Sequence, residues 1–502
     1  MSKLFGRNKI YTSIEEITAD NVLQVLNDAL PYHCQNIAEE DYLYWYRRGR
    51  QPINNRTKEI RPEINNKIVE NIADQIVTFK NGYFLTRPAF YVARTSDENT
   101  FNQVNQLNEF LNASGKPEVD NEVVDWFHTV GVAPIYVRAS LDPMSPVKVY
   151  SLAPQQAFVV YSRRPGNAPV MGVIINIVNY DEKARLNRVK FDVYTKFQIF
   201  HIDGTMTCPD VSNELLPVTS TALSIESYED KAIEGIEIIE YEYNRNRMSA
   251  FESVLDLLDA VNQVQSDREN GIEQFIQSLL ILKNCTLDED DDGNKISARD
   301  IREKGLIELK STSDNPADVT IIADQLDQSQ TQVYVEDLLH RICDIAGMPF
   351  TSNAGTSDSS NNGAVFLRNG WSSADCFARN TEDLFRKSNK LFDKIFLRIV
   401  QYNSNITISR YDIDIQFTRG EMENLLIKTQ GALNLKQLGF SPELVLGKSG
   451  LSNDPAGDYA RSKDYMDVAF TNGQNVQPQP VNEGVENGEN NETGSVERTG
   501  NT

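Results

Sequence analysis

The sequence predicts an α+β fold in which long helices carry small mixed and antiparallel sheets. Three observations lead there. Across residues 363–403, Phe366, Trp371, Ala374, Phe377, Ala378, Leu384, Phe385, Leu391, Phe392, Ile395, Phe396 and Ile399 recur at the helix period, and no proline interrupts them. At about 1.5 Å per residue this is a rod of roughly 60 Å. From Ala133 the period changes to two, and alternation returns at 406–418, after the rod.

The elements follow in order. Ser13 and Glu16 have the spacing of a capping box and open a helix over 13–30 with Ile14, Ile17, Val22, Val25, Leu26 and Leu30 on one face. Residues 41–49, DYLYWYRRG, read as an aromatic helix whose rings pack against a neighbour; 50–61 is polar. Ile68, Ile72, Ile76 and Phe79 describe a helix that runs to Tyr83-Phe84-Leu85 and stops at Arg87-Pro88. Residues 101–112 and 122–129 give two more helices.

Strands are expected at 134–138, 147–152, 157–162, 170–179, 188–193, 197–202 and 235–243, with turns such as Pro165-Gly166 and Asp203-Gly204 between them. Residues 245–283 return to the helix period, with a kink expected where Gln265–Asn270 and Gly271 weaken the pattern. Short strands are expected at 306–310 and 319–322. Val333, Val335, Leu338, Leu339, Ile342 and Ile345 form a helix stopped by Gly347 and Pro349. After the rod come a helix over 420–438 and another opened by Ser441-Pro442-Glu443. Residues 471–502 contain no aromatic residue and are expected to be disordered.

At 502 residues the chain can bury a large core in two to four domains. Its formal net charge of −23 argues against gripping nucleic acid by phosphate neutralisation, though not against letting a duplex slide past. Five scattered cysteines (Cys34, Cys208, Cys285, Cys343, Cys376) without a CxxC pair suit reduced thiols and a cytoplasmic site of synthesis. The N-terminus reads as no secretory signal, and no run of eighteen apolar residues spans a membrane.

No catalytic constellation is legible, and no cofactor is expected. Gly447-Lys448-Ser449 resembles the end of a phosphate-binding loop, but its first glycine falls on Pro442. His33, His128, His201 and His340 lack ligand spacing. The acidic run Asp288, Glu289, Asp290, Asp291, Asp292 has Arg299 where a calcium loop needs its bidentate Glu, so a solvated hairpin tip is the better reading.

Four stretches together are similar to one family, the portal (head–tail connector) proteins of tailed bacteriophages, in the branch typical of long-tailed phages of Gram-positive hosts. They are Ile64-Asn65-Asn66-Lys67-Ile68-Val69 continuing to Phe79-Lys80-Asn81-Gly82-Tyr83-Phe84 and Arg87-Pro88; the strands at 147–161 around Pro154; Tyr243-Asn244-Arg245-Asn246-Arg247 with Phe251, Leu257-Leu258-Asp259-Ala260 and Ser266-Asp267; and Gly347-Met348-Pro349 with the loop ending Gly363-Ala364-Val365. The loop is richer in Asn and Ser than is usual in the family.

The resemblance implies a ring of twelve subunits with a wing (1–244 with 404–418), stem helices (245–283 and 328–348), a clip (284–327), a tunnel loop (349–363), a long helix (364–403) and a crown (419–470). It implies a structural protein, not an enzyme, of the portal vertex of the virion, assembled in the host cytoplasm. Double-stranded DNA would pass along Thr351, Ser352, Asn353, Gly355, Thr356, Ser357, Ser359, Ser360, Asn361, Asn362 and Gly363. The clip acids Asp288–Asp292 would dock the terminase large subunit and then a head-completion adaptor, while major capsid and scaffolding proteins would contact the ring. An ATP-driven motor is disfavoured by the missing phosphate loop. A cytosolic helical interaction protein without a channel is the alternative.

Overall fold

The computed structural model describes residues 6–59, 62–94, 97–181, 186–206, 221–276, 279–283, 318–322, 328–350, 371–404, 406–418, 425–452, 454–455 and 457–463. Strand β1 (Ile10–Thr12) leads into helix α1 (Val22–Arg47). The helix opens nine residues later than Ser13 suggested, behind Asn21, and runs unbroken through Pro31 into the aromatic stretch. Pro31 removes one backbone donor, but Val22, Val25, Leu26, Leu30, Leu43 and Tyr46 bury on both sides of it and hold the rod together.

Residues 157–230 build the larger sheet from β5 (Ala157–Ser162), β6 (Pro169–Asp181), β7 (Leu186–Tyr194), β8 (Gln198–Met206) and β9 (Thr221–Asp230). Its order is β1-β5-β6-β7-β8-β9, antiparallel except that β1 joins β5 in parallel, Tyr11 opposite Tyr161. A second sheet orders β10 (Ile238–Glu242), β3 (Val132–Asp142) and β4 (Ser145–Ser151). The strands expected between 134 and 243 are thus divided between two sheets, and β1 and β9 were not foreseen. All of β5 is buried because it works on both faces. Phe158 and Val160 face the core under α1, while Ala157, Val159 and Tyr161 meet Ile238 of the second sheet.

Helices α2 (Ile72–Phe84), α3 (Glu98–Ala113) and α4 (Lys116–Val130) pack beside the second sheet. Ile68 stands outside α2, correcting the helix expected from its spacing to Ile72. Pro88 sits in strand β2 (Arg87–Ala93), which pairs antiparallel with β13 (Ile413–Thr418).

The rod expected from the sequence is helix α7 (Trp371–Asn403), 33 residues or about 50 Å; residues 364–370 lie outside the described residues. Its apolar face (Phe385, Phe392, Phe396, Ile399, Val400) closes the main core. Its register is set by polar groups inside that core: Asn389 donates to the Tyr91 hydroxyl at 2.8 Å and to Asp393 at 3.0 Å, Tyr91 donates to Asp393, and the Tyr241 hydroxyl meets Asn389 Oδ1 at 3.2 Å. A turn of slippage would break the three bonds to Tyr91 and Tyr241 at once, at the cost of unpaired buried groups.

The Tyr243–Arg247 motif is a knot in which the N-terminal segment crosses the turn after β10. Arg247 (φ +55°) is buried; its guanidinium donates to Glu240 at 2.7 Å and to the Asn8 carbonyl at 3.1 Å, while its own carbonyl accepts from Arg7 N–H at 3.0 Å. Arg7 in turn bonds Glu39 at 2.9 Å, Glu252 at 3.0 Å and the Val130 carbonyl at 3.1 Å. Beside this knot the carboxyl of Glu40 is buried, and burial pushes it up to about 8 against the pull of Arg7 and Arg247. A carboxyl raised this way contributes stability that is complete below pH 4.5 and lost as pH rises through 8. Glu40→Gln is expected to flatten that slope: relative to the parent protein it gains at least about 2 kcal/mol between pH 5 and pH 8.5 in urea melts. Equal slopes for the two proteins would refute it.

Candidate channel site

Helix α5 (Leu255–Ile276) and helix α6 (Gln328–Ala346) pack together. Arg268 reaches Gln332 at 3.0 Å, and the start of α5 lies by the end of α6, so the pair is antiparallel. The sequence carried the first helix to 283. It stops by Ile276, without a break at Gly271, and the apolar run LLILK forms strand β11 (Leu279–Lys283) instead. Strand β12 (Asp318–Ile322) pairs with it antiparallel, Lys283 opposite Asp318. The residues on either side of 284–317 are thus held next to each other.

On its other side α5 is bound by an extended strap, residues 62–71. Asn262, Ser266 and Asn270 form a buried polar stripe, one residue per helical turn. They accept the backbone N–H groups of Glu70 (2.9 Å), Ile68 (2.9 Å) and Asn66 (2.7 Å). The geometry matches because four helical residues rise about 6.0 Å while two extended residues span about 6.6 Å. Asn66 adds a side-chain bond to Glu273 at 2.7 Å. This is the role of the Ile64–Val69 stretch, which the helical reading missed.

The other connection, between α6 and α7, has its roots in contact. Helix α6 ends at Gly347 (φ +67°), with Met348 N–H bonded to the Cys343 carbonyl at 2.8 Å. A Cβ on Gly347 would stand 2.6 Å from the Phe377 ring of α7, so only glycine lets the two helices meet here. Trp371 packs on Phe79 and Tyr83 of α2, with ring centroids 5.9 and 5.8 Å away. Phe79, Lys80, Tyr83, Tyr243, Gly347, Ala374 and Phe377 line a cavity of about 10 Å³, room for one water.

The Lys80 ammonium faces the rings of Phe377 (4.9 Å) and Tyr243 (5.7 Å), and burial lowers its pKa to about 8. Neighbouring His128 is held well below its ordinary value by burial, with the Lys80 and Arg47 charges adding to it, and its Nδ1 bonds Asn81 Oδ1 at 2.7 Å. A lysine lowered by burial costs stability fully below pH 8, and that cost fades as pH climbs towards 10.5. Lys80→Met is therefore expected to stabilise the protein at pH 7 by about 1–3 kcal/mol, with the gain shrinking near pH 10. A loss at pH 7 in denaturant titrations would contradict this.

The residues named from the sequence as channel loop (Thr351, Ser352, Asn353, Gly355, Thr356, Ser357, Ser359, Ser360, Asn361, Asn362, Gly363) and as clip acids (Asp288, Glu289, Asp290, Asp291, Asp292) lie outside the described residues. The structure describes the Gly347–Phe377 contact, the Lys80 cavity, the β11–β12 pair and the strap; the sequence reading had named residues in each without foreseeing these contacts. Gly447-Lys448-Ser449 falls in the last turn of a short helix (Pro442–Ser449), not in a loop after a strand. Among the described residues, no group of three metal-ligating side chains occurs, and no helix is long and apolar enough to cross a membrane.

The described chain thus joins two sheets and one long helix to an antiparallel helix pair. The family model for phage portal proteins, SPP1 Gp6-like, matches residues 32–465, and the chain belongs to that family. Portal proteins are structural components of the phage head–tail connector and serve DNA packaging. No curated protein matches the chain.

Proposed function

We propose that twelve copies of this chain form a closed ring at one capsid vertex, through which double-stranded DNA is packaged and later ejected. The family match over residues 32–465 carries this reading. In it, the sheets, α1–α4 and 404–418 make the wing; α5 and α6 make the stem; the excursion between β11 and β12 makes the clip; 349–363 is the tunnel loop; and the helices beyond 419 make the crown. The clip tip docks the terminase large subunit and then a head-completion adaptor. Capsid and scaffolding proteins meet the ring as it assembles in the host cytoplasm. The pairing of Lys283 with Asp318 supports the clip assignment, because it holds the residues that flank 284–317 side by side.

Sedimentation and end-on electron microscopy of the purified protein test the ring. A particle of about twelve times 56.7 kDa with a central hole is expected, and a monomer at every concentration, with or without scaffold, would overturn it. Deleting residues 356–360 is expected to leave rings intact and to lower packaged DNA. Rings that package normally would remove the loop from the mechanism.

A further inference from the structure

Helix α5 has two differently covered sides. At about 100° per residue, the Asn262–Ser266–Asn270 stripe under the strap and Arg268, which holds α6, point in nearly opposite directions. The outermost surfaces on these two flanks differ in chemistry. On the strap side, the described residues within 47–67 hold six Lys and Arg against two Glu in a chain of net −23; Arg47 pairs with Asp74 and Asp125 and Arg56 with Asp267, which leaves Arg48 and Arg50 outside those ion pairs.

At the head of this segment two arginines stand on rings: Arg48 lies 4.4 Å over Tyr44 and Arg50 lies 3.8 Å over Trp45, while Tyr44 stacks on Trp126 at 5.6 Å. Both arginines are exposed, and no carboxylate among the described residues pairs with either guanidinium. On the α6 side, Val333 (66 % exposed) and Tyr334 (51 %) sit with Glu336, Asp337 and Asp344 on the outer face. The bonds of these acids run along α6 itself: Gln332 to Glu336, Arg341 to Asp337, and His340 to Asp344.

We propose that these flanks are the two halves of one contact between adjacent copies of the chain: the arginine-on-ring platform of one copy takes the outer face of α6 of the next. The contact rests on the ring reading. A head-to-tail contact uses two different patches of the same chain and closes into a ring when its rotation allows, and here the patches lie on opposite sides of one helix. Stacking fixes each guanidinium plane and leaves its N–H edge free to fork onto a carboxylate. Val333 and Tyr334 would cover the ring faces. A subunit of charge −23 repels its copies, so an interface that brings its positive island against an acidic helix is the favourable one.

Charge reversal on each flank separately, then together, tests the contact in the full-length protein. Arg48→Glu with Arg50→Glu, and Glu336→Arg with Asp337→Arg, are each expected to raise the concentration needed for ring formation at least about tenfold. Monomer melting temperatures should stay at the parental value. Combining all four changes should bring the assembly threshold back to within about threefold of the parent. An unchanged threshold in the Arg48/Arg50 variant overturns the contact, as does a combined variant no better than the weaker single one. Normal rings that package less DNA would assign the platform to phosphate and overturn it too. A parent chain that never forms rings would defeat the ring reading itself, and this contact with it.

Discussion

Gly131→Ala is expected to leave no folded protein: insoluble material, or a soluble chain without a cooperative melt. Gly131 closes α4 at φ +101°, ψ −17°, a conformation closed to residues with a side chain. It also lies directly against the knot. A Cβ there would overlap the Arg247 carbonyl oxygen and stand 2.6 Å from the carbonyl carbon, both of them backbone. That backbone cannot retreat, since the same carbonyl accepts from Arg7 and the Gly131 carbonyl accepts from Tyr243 N–H at 3.1 Å. Strain and overlap together exceed about 4 kcal/mol, a large part of the stability of an ordinary domain. A Gly131→Ala protein that melts within a few degrees of the parent would refute the close crossing.

Arg247→Met carries the second large effect. Glu240 is buried, and besides Arg247 it has Val159 N–H at 3.1 Å and the Tyr161 hydroxyl at 3.0 Å. Removing the guanidinium leaves a carboxylate in the core facing two neutral donors, an expected loss of about 3–5 kcal/mol. The double variant Arg247→Met with Glu240→Gln removes the stranded charge and should recover part of the loss. Urea denaturation of the single and double variants separates the cases. If the double variant is no better than the single, Arg247 acts through packing and its strained φ, not through Glu240.

The parts legible in the sequence were those whose signal is local. The 3.6-residue period of α7, the Gly347 stop of α6 and the Ser441-Pro442 start of the last helix all depend on neighbours within a turn or two. The misread parts have partners far along the chain. Ile68 stands four residues before Ile72 and so mimics a helix turn, yet its N–H is spoken for by Ser266, 198 residues away. Leu279–Lys283 is a short apolar run that suits helix or strand equally, and β12, 35 residues on, decides it. Ser13 and Glu16 have the spacing of a cap without the helix, because Ile14 and Ile17 reach the core from non-helical backbone and the helix begins only at Val22. In the candidate site, the cavity around Lys80 joins α2, α4, β10 and both loop roots, a convergence that no sequence window contains.

The ladder between strap and α5 has a mechanical meaning. Its three rungs lie across the helix axis, so a pull along that axis loads them in shear, all together, and none can open before the others. A peeling force would break them one at a time. A slide of one turn along the helix would also leave a rung at one end without its partner. Helix α5 is therefore coupled stiffly to the strap along its length and more weakly across it. Axial thrust on α5 passes through the strap towards α2, while sideways tilt is the soft direction of the joint.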